Sequence, residues 1–183
     1  MRKCESDDRG FSLVEMIIVV AIIAALSGIV MLSANVLLGL PARKCANTVY
    51  SSLSKVRITT MGKKTAVLKL YMEDDSIYLQ EIIDGVNGEE KRVGSKGVIF
   101  AYALENGGVK GGETVMKNGD ELYLDFNRST GAFQEKIISL GPPITRADDQ
   151  YYISLSARRG RSQYTIELIP PTGKMSVSKN TPR

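Results

Sequence analysis

The stretch "RGFSLVEMIIVVAIIAALSGIVML", Arg9 to Leu32, decides how this chain is read. It is almost all hydrocarbon, yet Glu15 stands near its start. A charged side chain at the centre of a bilayer costs roughly 2.5–3.5 kcal/mol. At the beginning of the segment the cost is lower, because the carboxylate can reach toward the headgroups. An ionisable residue in such a segment is a functional-site candidate, and it needs a partner.

Working outward, Phe11 to Leu40 is apolar with few polar interruptions: Ser12, Glu15, Ser27, Ser33 and Asn35. Met16 to Leu40 is 25 residues, enough for a helix to cross about 30 Å of hydrocarbon. A core helix is not apolar all round for that length, so the segment reads as a membrane span or an anchor. Before it, "MRKCESDDRG" is polar apart from Met1 and Cys4, and Arg2, Lys3 and Arg9 are offset by Glu5, Asp7 and Asp8. After it, Gly39 and Pro41 mark a kink near the membrane exit, since proline removes a helical hydrogen bond.

From Ala42 to Met61 the apolar residues fall on one stripe: Ala46, Val49, Tyr50, Leu53 and Val56. Gly62 is the expected helix stop. The helix is therefore expected to run from about Ser12 to Met61, greasy in its first half and one-sided in its second.

Beyond Gly62 the period changes to two. Eight strands are expected: "TAVLKLYM", "SIYLQEII", "GVIFAYAL", "ELYLDFN", "FQEKIISL", "YYISLSA", "YTIELIP" and "KMSVS". Turn signals separate them at Asp84–Gly88, Asn106–Gly112, Asn118–Gly119, Ser129–Gly131, Arg159–Gly160 and Pro170–Gly173. The fold class is α+β: a long N-terminal helix whose second half packs on an antiparallel β-rich head.

Inventory excludes much chemistry. The chain has no histidine, so a Ser-His-Asp triad, a Cys-His pair and an imidazole-held metal are all out of reach. The net charge of +4 is spread among mixed acids and bases, which is no nucleic-acid signature. The two cysteines, Cys4 and Cys45, form no CxxC motif and imply no disulfide framework.

"GFSLVE" at Gly10–Glu15, followed by the unbroken apolar run, resembles the signal of the type IV pilin and pseudopilin superfamily. "LYLDFNRSTGAF" (Leu122–Phe133), "YTIELIPPTGKMSV" (Tyr164–Val177) and "SKVRITTMGKKTAVLKL" (Ser54–Leu70) are similar to parts of its H-type pseudopilin class. Two features depart from the pattern. The leader is not net basic, and Leu32 stands where many pilins carry a proline.

The resemblance implies a domain order: a cleaved leader at 1–10, a helix at 11–61 spanning the membrane at about 16–40, and a head at 62–183. It implies that prepilin peptidase cuts between Gly10 and Phe11 and methylates Phe11. The chain is then a structural subunit of a type IV pilus or a type II secretion-like filament, and not an enzyme. It binds no cofactor or metal. Its partners are other subunits, the peptidase, the inner platform of an assembly machine and the bilayer. The expected location is a single pass in the cell membrane with the head exported, then an extracellular or periplasmic filament. The new Phe11 amine is cationic at neutral pH. It lies one helical turn from Glu15, so the partner of Glu15 is the Phe11 amine of a neighbouring copy or of the same chain.

Other candidates have plainer alternatives. Arg158, Arg159 and Arg161 form a basic hairpin tip, either a contact to DNA or an anionic surface or a solvated turn that blocks edge pairing. "ENGGVKGGE" lacks the ending of a phosphate loop, and "EDD" at Glu73–Asp75 lacks calcium-loop spacing. Cys45 is a packed residue, a lipidation site or an intermolecular thiol. Two rival functions stand: a β-rich binding or carbohydrate-active head behind an ordinary signal or anchor, and a tethered enzyme.

Overall fold

The computed structural model describes residues 12–180; for residues 26–38 the helical backbone is described and the side chains are not. The leader, Cys4, Gly10 and Phe11 lie outside the described residues. The chain forms two compact units, Met1–Leu37 and Leu38–Arg183. Among the described residues no helix is long and apolar enough to cross a membrane. The span expected at 16–40 includes the thirteen side chains outside that description, so its apolar length is carried by the sequence.

Helix α1 covers Leu13–Met61 and continues through Pro41. In the second unit its buried stripe is Ala42, Cys45, Ala46, Val49, Leu53, Val56 and Thr60. The spacing of three and four places all seven on one face. Tyr50, expected on the stripe, is half-buried at its margin. The helix end differs from the expected glycine stop. Lys63, not Gly62, adopts the left-handed conformation, with φ 75°. The Lys63 N–H donates to Thr60 O and the Lys64 N–H to Thr59 O, the pair of bonds of a Schellman cap. Gly62 stays one residue inside the turn because its own N–H still donates to Ile58 O.

The head holds twelve strands among the described residues, not eight. They are β1 (Ala66–Glu73), β2 (Ser76–Ile83), β3 (Val86–Gly94), β4 (Ile99–Asn106), β5 (Val109–Lys110) and β6 (Thr114–Val115). Then follow β7 (Glu121–Asp125), β8 (Ile137–Ser139), β9 (Thr145–Arg146), β10 (Gln150–Arg159), β11 (Ser162–Ile169) and β12 (Lys174–Asn180). The four extra strands are β3, β5, β6 and β9. Three have two residues each, and β3 is exposed along nearly its whole length. A strand without a buried face carries no alternation, so "VNGEEKRVG" was legible only as a continuation of the Asp84–Gly88 turn. That turn is in fact the two residues Asp84 and Gly85, both at positive φ.

Every pairing is antiparallel. The first sheet has the order β3-β2-β1-β7, and the second β12-β11-β10-β4-β5 with β6 also on β4. A small third sheet joins β8 to β9. One core cluster unites the helix stripe with Leu68, Leu70, Ile77 and Leu79 of the first sheet and Phe100, Leu155 and Ile166 of the second. Each such side chain contributes about 1.5–3 kcal/mol by leaving water. A partly buried ion pair lies at one flank: the guanidinium of Arg146 (β9) donates to both oxygens of Asp125 (β7) and also to Glu135 O.

Two turns far apart in sequence meet at the helix. Arg57 donates from Nε to Gly131 O at 2.9 Å and from Nη2 to Thr172 O at 3.0 Å. The Phe133 N–H donates to Pro170 O beside it. Gly131 and Gly173 both sit at positive φ, and a Cβ on Gly173 would lie 1.7 Å from Gly131 O. No side chain fits there. The two Thr-Gly turns, Thr130–Gly131 and Thr172–Gly173, are thus clasped together by one arginine.

Gly173→Ala and Gly160→Ala should separate this packing effect from backbone strain. Both residues are left-handed, but a Cβ on Gly160 meets nothing within 4 Å. Gly160→Ala should cost about 1 kcal/mol, the strain alone. Gly173→Ala should cost at least about 2 kcal/mol more, read as the shift in chemical denaturation, because backbone must move.

Candidate functional site

The first turn of α1 explains how the chain sets Glu15. Ser12 precedes the helix, and its Oγ accepts from the Glu15 N–H at 3.2 Å. Its carbonyl accepts from the Met16 N–H. Ser12 is therefore the N-cap and Glu15 the third helical position, the S-x-x-E spacing of a capping box. An acid in the first turn also faces the positive end of the helix dipole. The sequence carries this spacing at Ser12 and Glu15, where the apolar run around it masks the cap.

The Glu15 side chain is exposed, as are the side chains of residues 12–25 around it. Leu13, Val14, Met16, Ile17, Ile18, Val19 and Val20 present hydrocarbon on every side of the helix. Nothing within the described residues covers them. Such a surface is stable in lipid or against other helices, and not in water. Gly10 and Phe11, the expected processing residues, lie outside the described residues, so the Phe11–Glu15 pair has no geometry here.

Residues 6–31 match the family model described as the prokaryotic N-terminal methylation motif. The chain carries a type IV prepilin-type signal. The match spans Gly10, Phe11 and Glu15 and ends inside the apolar helix. No curated protein and no solved structure matches the chain. The motif indicates a pilin-like substrate of prepilin peptidase and implies assembly with other pilin-type subunits.

The remaining sequence candidates fall in the second unit. Gly39 is buried, and a Cβ there would lie 2.7 Å from Ser162 Oγ. Its smallness therefore lets the helix approach the start of β11, a role separate from any bend at Pro41. Arg158, Arg159 and Arg161 flank Gly160 at the β10–β11 turn, with Arg158 and Arg161 exposed. Asp74 and Asp75 form the β1–β2 turn, and Glu73 is the last residue of β1. Among the described residues no group of acids and cysteines could hold a metal ion.

Cys45 is fully buried in the core, and burial pushes its thiol up to about 12. Below that pH it stays protonated, and the thiolate is the reactive form. This removes the lipidation and intermolecular-thiol readings for the folded chain.

Two measurements check these assignments. Ser12→Ala removes the cap and should cost about 0.5–2 kcal/mol of local helix stability. Faster hydrogen exchange at the Glu15 amide of the membrane-embedded precursor would register it. In the folded protein at pH 8, Cys45 should react with a maleimide at least about a hundredfold more slowly than after denaturation.

Proposed function

We propose that the chain is a structural subunit of a type IV pilus or type II secretion-like filament, and not an enzyme. The methylation motif at residues 6–31, with Glu15 inside it, carries the reading. Residues 16–40 anchor the precursor in the cell membrane as a single pass, with the head exported. Prepilin peptidase cuts between Gly10 and Phe11 and methylates the new terminus. The subunit then leaves for a filament that is extracellular or periplasmic. Energy for that step comes from an outside motor acting through an inner platform.

Glu15 is the registration device. In a low-dielectric bundle of helices, an unpaired carboxylate is costly, and breaking a buried pair costs roughly 3–5 kcal/mol. The Phe11 amine of a neighbouring copy supplies the countercharge. The acid is thereby tolerable in the polymer and expensive alone. Within the superfamily, the H-type pseudopilin class is the reading favoured by the segments Leu122–Phe133 and Tyr164–Val177. Their two Thr-Gly turns meet at Arg57, so the two segments form one element of the head.

The Ser12 cap gives a clean test. Glu15→Gln keeps the backbone N–H that donates to Ser12 Oγ but loses the charge. The variant should insert, lose its leader after Gly10 and start with a methylated Phe11 by mass spectrometry, yet enter filaments at least tenfold less than the parent. Filament entry at the parent level would show that the residue serves the helix alone. A mature chain cut after Ala25 or Ala34, or one keeping its first ten residues in a peptidase-active strain, would replace this reading with an ordinary signal or anchor.

A further inference from the structure

The first sheet is wider than the helix that covers it. α1 packs over β1 and β2, but β3 is the edge strand, and its residues from Val86 to Arg92 are all exposed. Val86 is 70% exposed. Between this overhanging strand and the outer side of α1 runs a groove of about 1000 Å3. It continues along β3 into a second cavity of about 350 Å3, which shares Lys55, Glu81 and Lys91 with the first. The first volume is at the top of the range for small-molecule sites, and an open strand edge is a template for polypeptide.

The groove is cationic. Arg43 and Lys44 from the helix and Lys91 and Arg92 from β3 line it, all exposed. Lys55 is already bound to the buried Glu81 at 2.5 Å. Among the described residues, Arg43, Lys44 and Lys91 make no ion pair. Lys91 is paired opposite the core residue Leu79 and so shares the helix side of the sheet, whereas Arg92, opposite Tyr78, belongs to the other face and only borders the groove. Glu89 is an exposed acid farther along, in the second cavity. Three unpaired cations at one trough favour an anionic occupant.

The same chain carries one. The β1–β2 turn, with the last residue of β1, presents Glu73, Asp74 and Asp75, all exposed, and Asp120 stands beside them in the lining of a separate cavity. This acidic knob is braced. The Asp75 N–H donates to Asn118 Oδ1 at 3.0 Å, and the Gly119 N–H donates to Met72 O at 2.9 Å. Asp74 and Asp75 are both at positive φ, so the turn is tightly folded. A rigid knob loses little freedom on docking. The knob's cavity and the groove share no lining residue.

We propose that the acidic knob of one copy docks in the basic groove of the next. Resting on the filament-subunit reading above, this supplies the head-to-head contact of the polymer. Knob and groove are different patches, so the contact is heterologous and propagates in one direction, as an open filament requires. It complements the Glu15 pairing, since it sets the order of heads while the helices set the stagger.

The test uses the full-length chain in its own membrane, with Cys4 replaced by serine. Asp74→Cys and Lys91→Cys in one chain should give, on mild oxidation, a ladder of disulfide-linked dimers, trimers and higher species. Either single variant should stop at or below dimer. Arg43→Glu with Lys44→Glu should weaken the ladder at least fivefold. Adding Glu73→Lys and Asp75→Lys to that chain should restore it, a result misfolding cannot produce. No ladder from the double cysteine chain overturns the proposal. So does a ladder indifferent to groove reversal. If groove reversal abolishes filament entry while the parent gives no ladder, the groove binds an acidic partner of another kind, and the second-copy proposal falls. The N-terminal mass of the same samples reports separately on processing at Gly10. A processed chain without a ladder leaves the subunit reading intact while the knob-and-groove contact fails.

Discussion

The head depends on a single helical stripe that two sheets must cover at once. Ala42, Cys45, Ala46, Val49, Leu53 and Val56 are small or medium apolar side chains with essentially no exposure. Gly39, just before the stripe, lets the Ser162 side chain at the start of β11 come close. At the other end, Arg57 replaces hydrophobic contact with two hydrogen bonds to turns from different parts of the chain. The stripe therefore fixes where the first sheet lies, where β11 begins and how the Thr-Gly turns meet. Loss of any of these relations would leave apolar surface or backbone carbonyls facing water.

The N-terminal part of the same helix answers to a different solvent. There the apolar residues are distributed around the whole circumference, and the described ones are exposed. In such a setting one carboxylate has disproportionate weight. Glu15 is stabilised locally by its place in the first turn after the Ser12 cap. That local benefit is worth about 1 kcal/mol, whereas an unpaired charge among hydrocarbon costs several. Capping alone does not offset the difference. The two roles are compatible, because the cap uses the backbone N–H of Glu15 and leaves its carboxylate available to a cation.

The prepilin-type signal is legible in the sequence alone. "GFSLVE" and the apolar run after it are local in sequence, and the prepilin-type signal is a local property. The strands that alternate, such as "TAVLKLYM" and "YTIELIP", were equally readable, since each hides one face. What escaped detection had no local signature. β3 reads as polar loop because neither of its faces is buried. Lys63 takes the left-handed position one residue after the glycine that seemed made for it, because the helix stays hydrogen-bonded for that extra residue. Arg57 gives no hint in sequence of the two carbonyls it holds, which lie 74 and 115 residues away.

Sequence by itself settled the things that depend on neighbours along the chain: the signal, the apolar length, the one-sided second half of the helix and the alternation of its main strands. These follow from periods of 3.6 and two and from the cost of a charge in hydrocarbon. Only the tertiary structure decided which edge of the first sheet is left uncovered, which cations gather beside it and which turns share an arginine. Those relations join residues brought together by burying the core, and their distances are set by packing rather than by spacing in the chain.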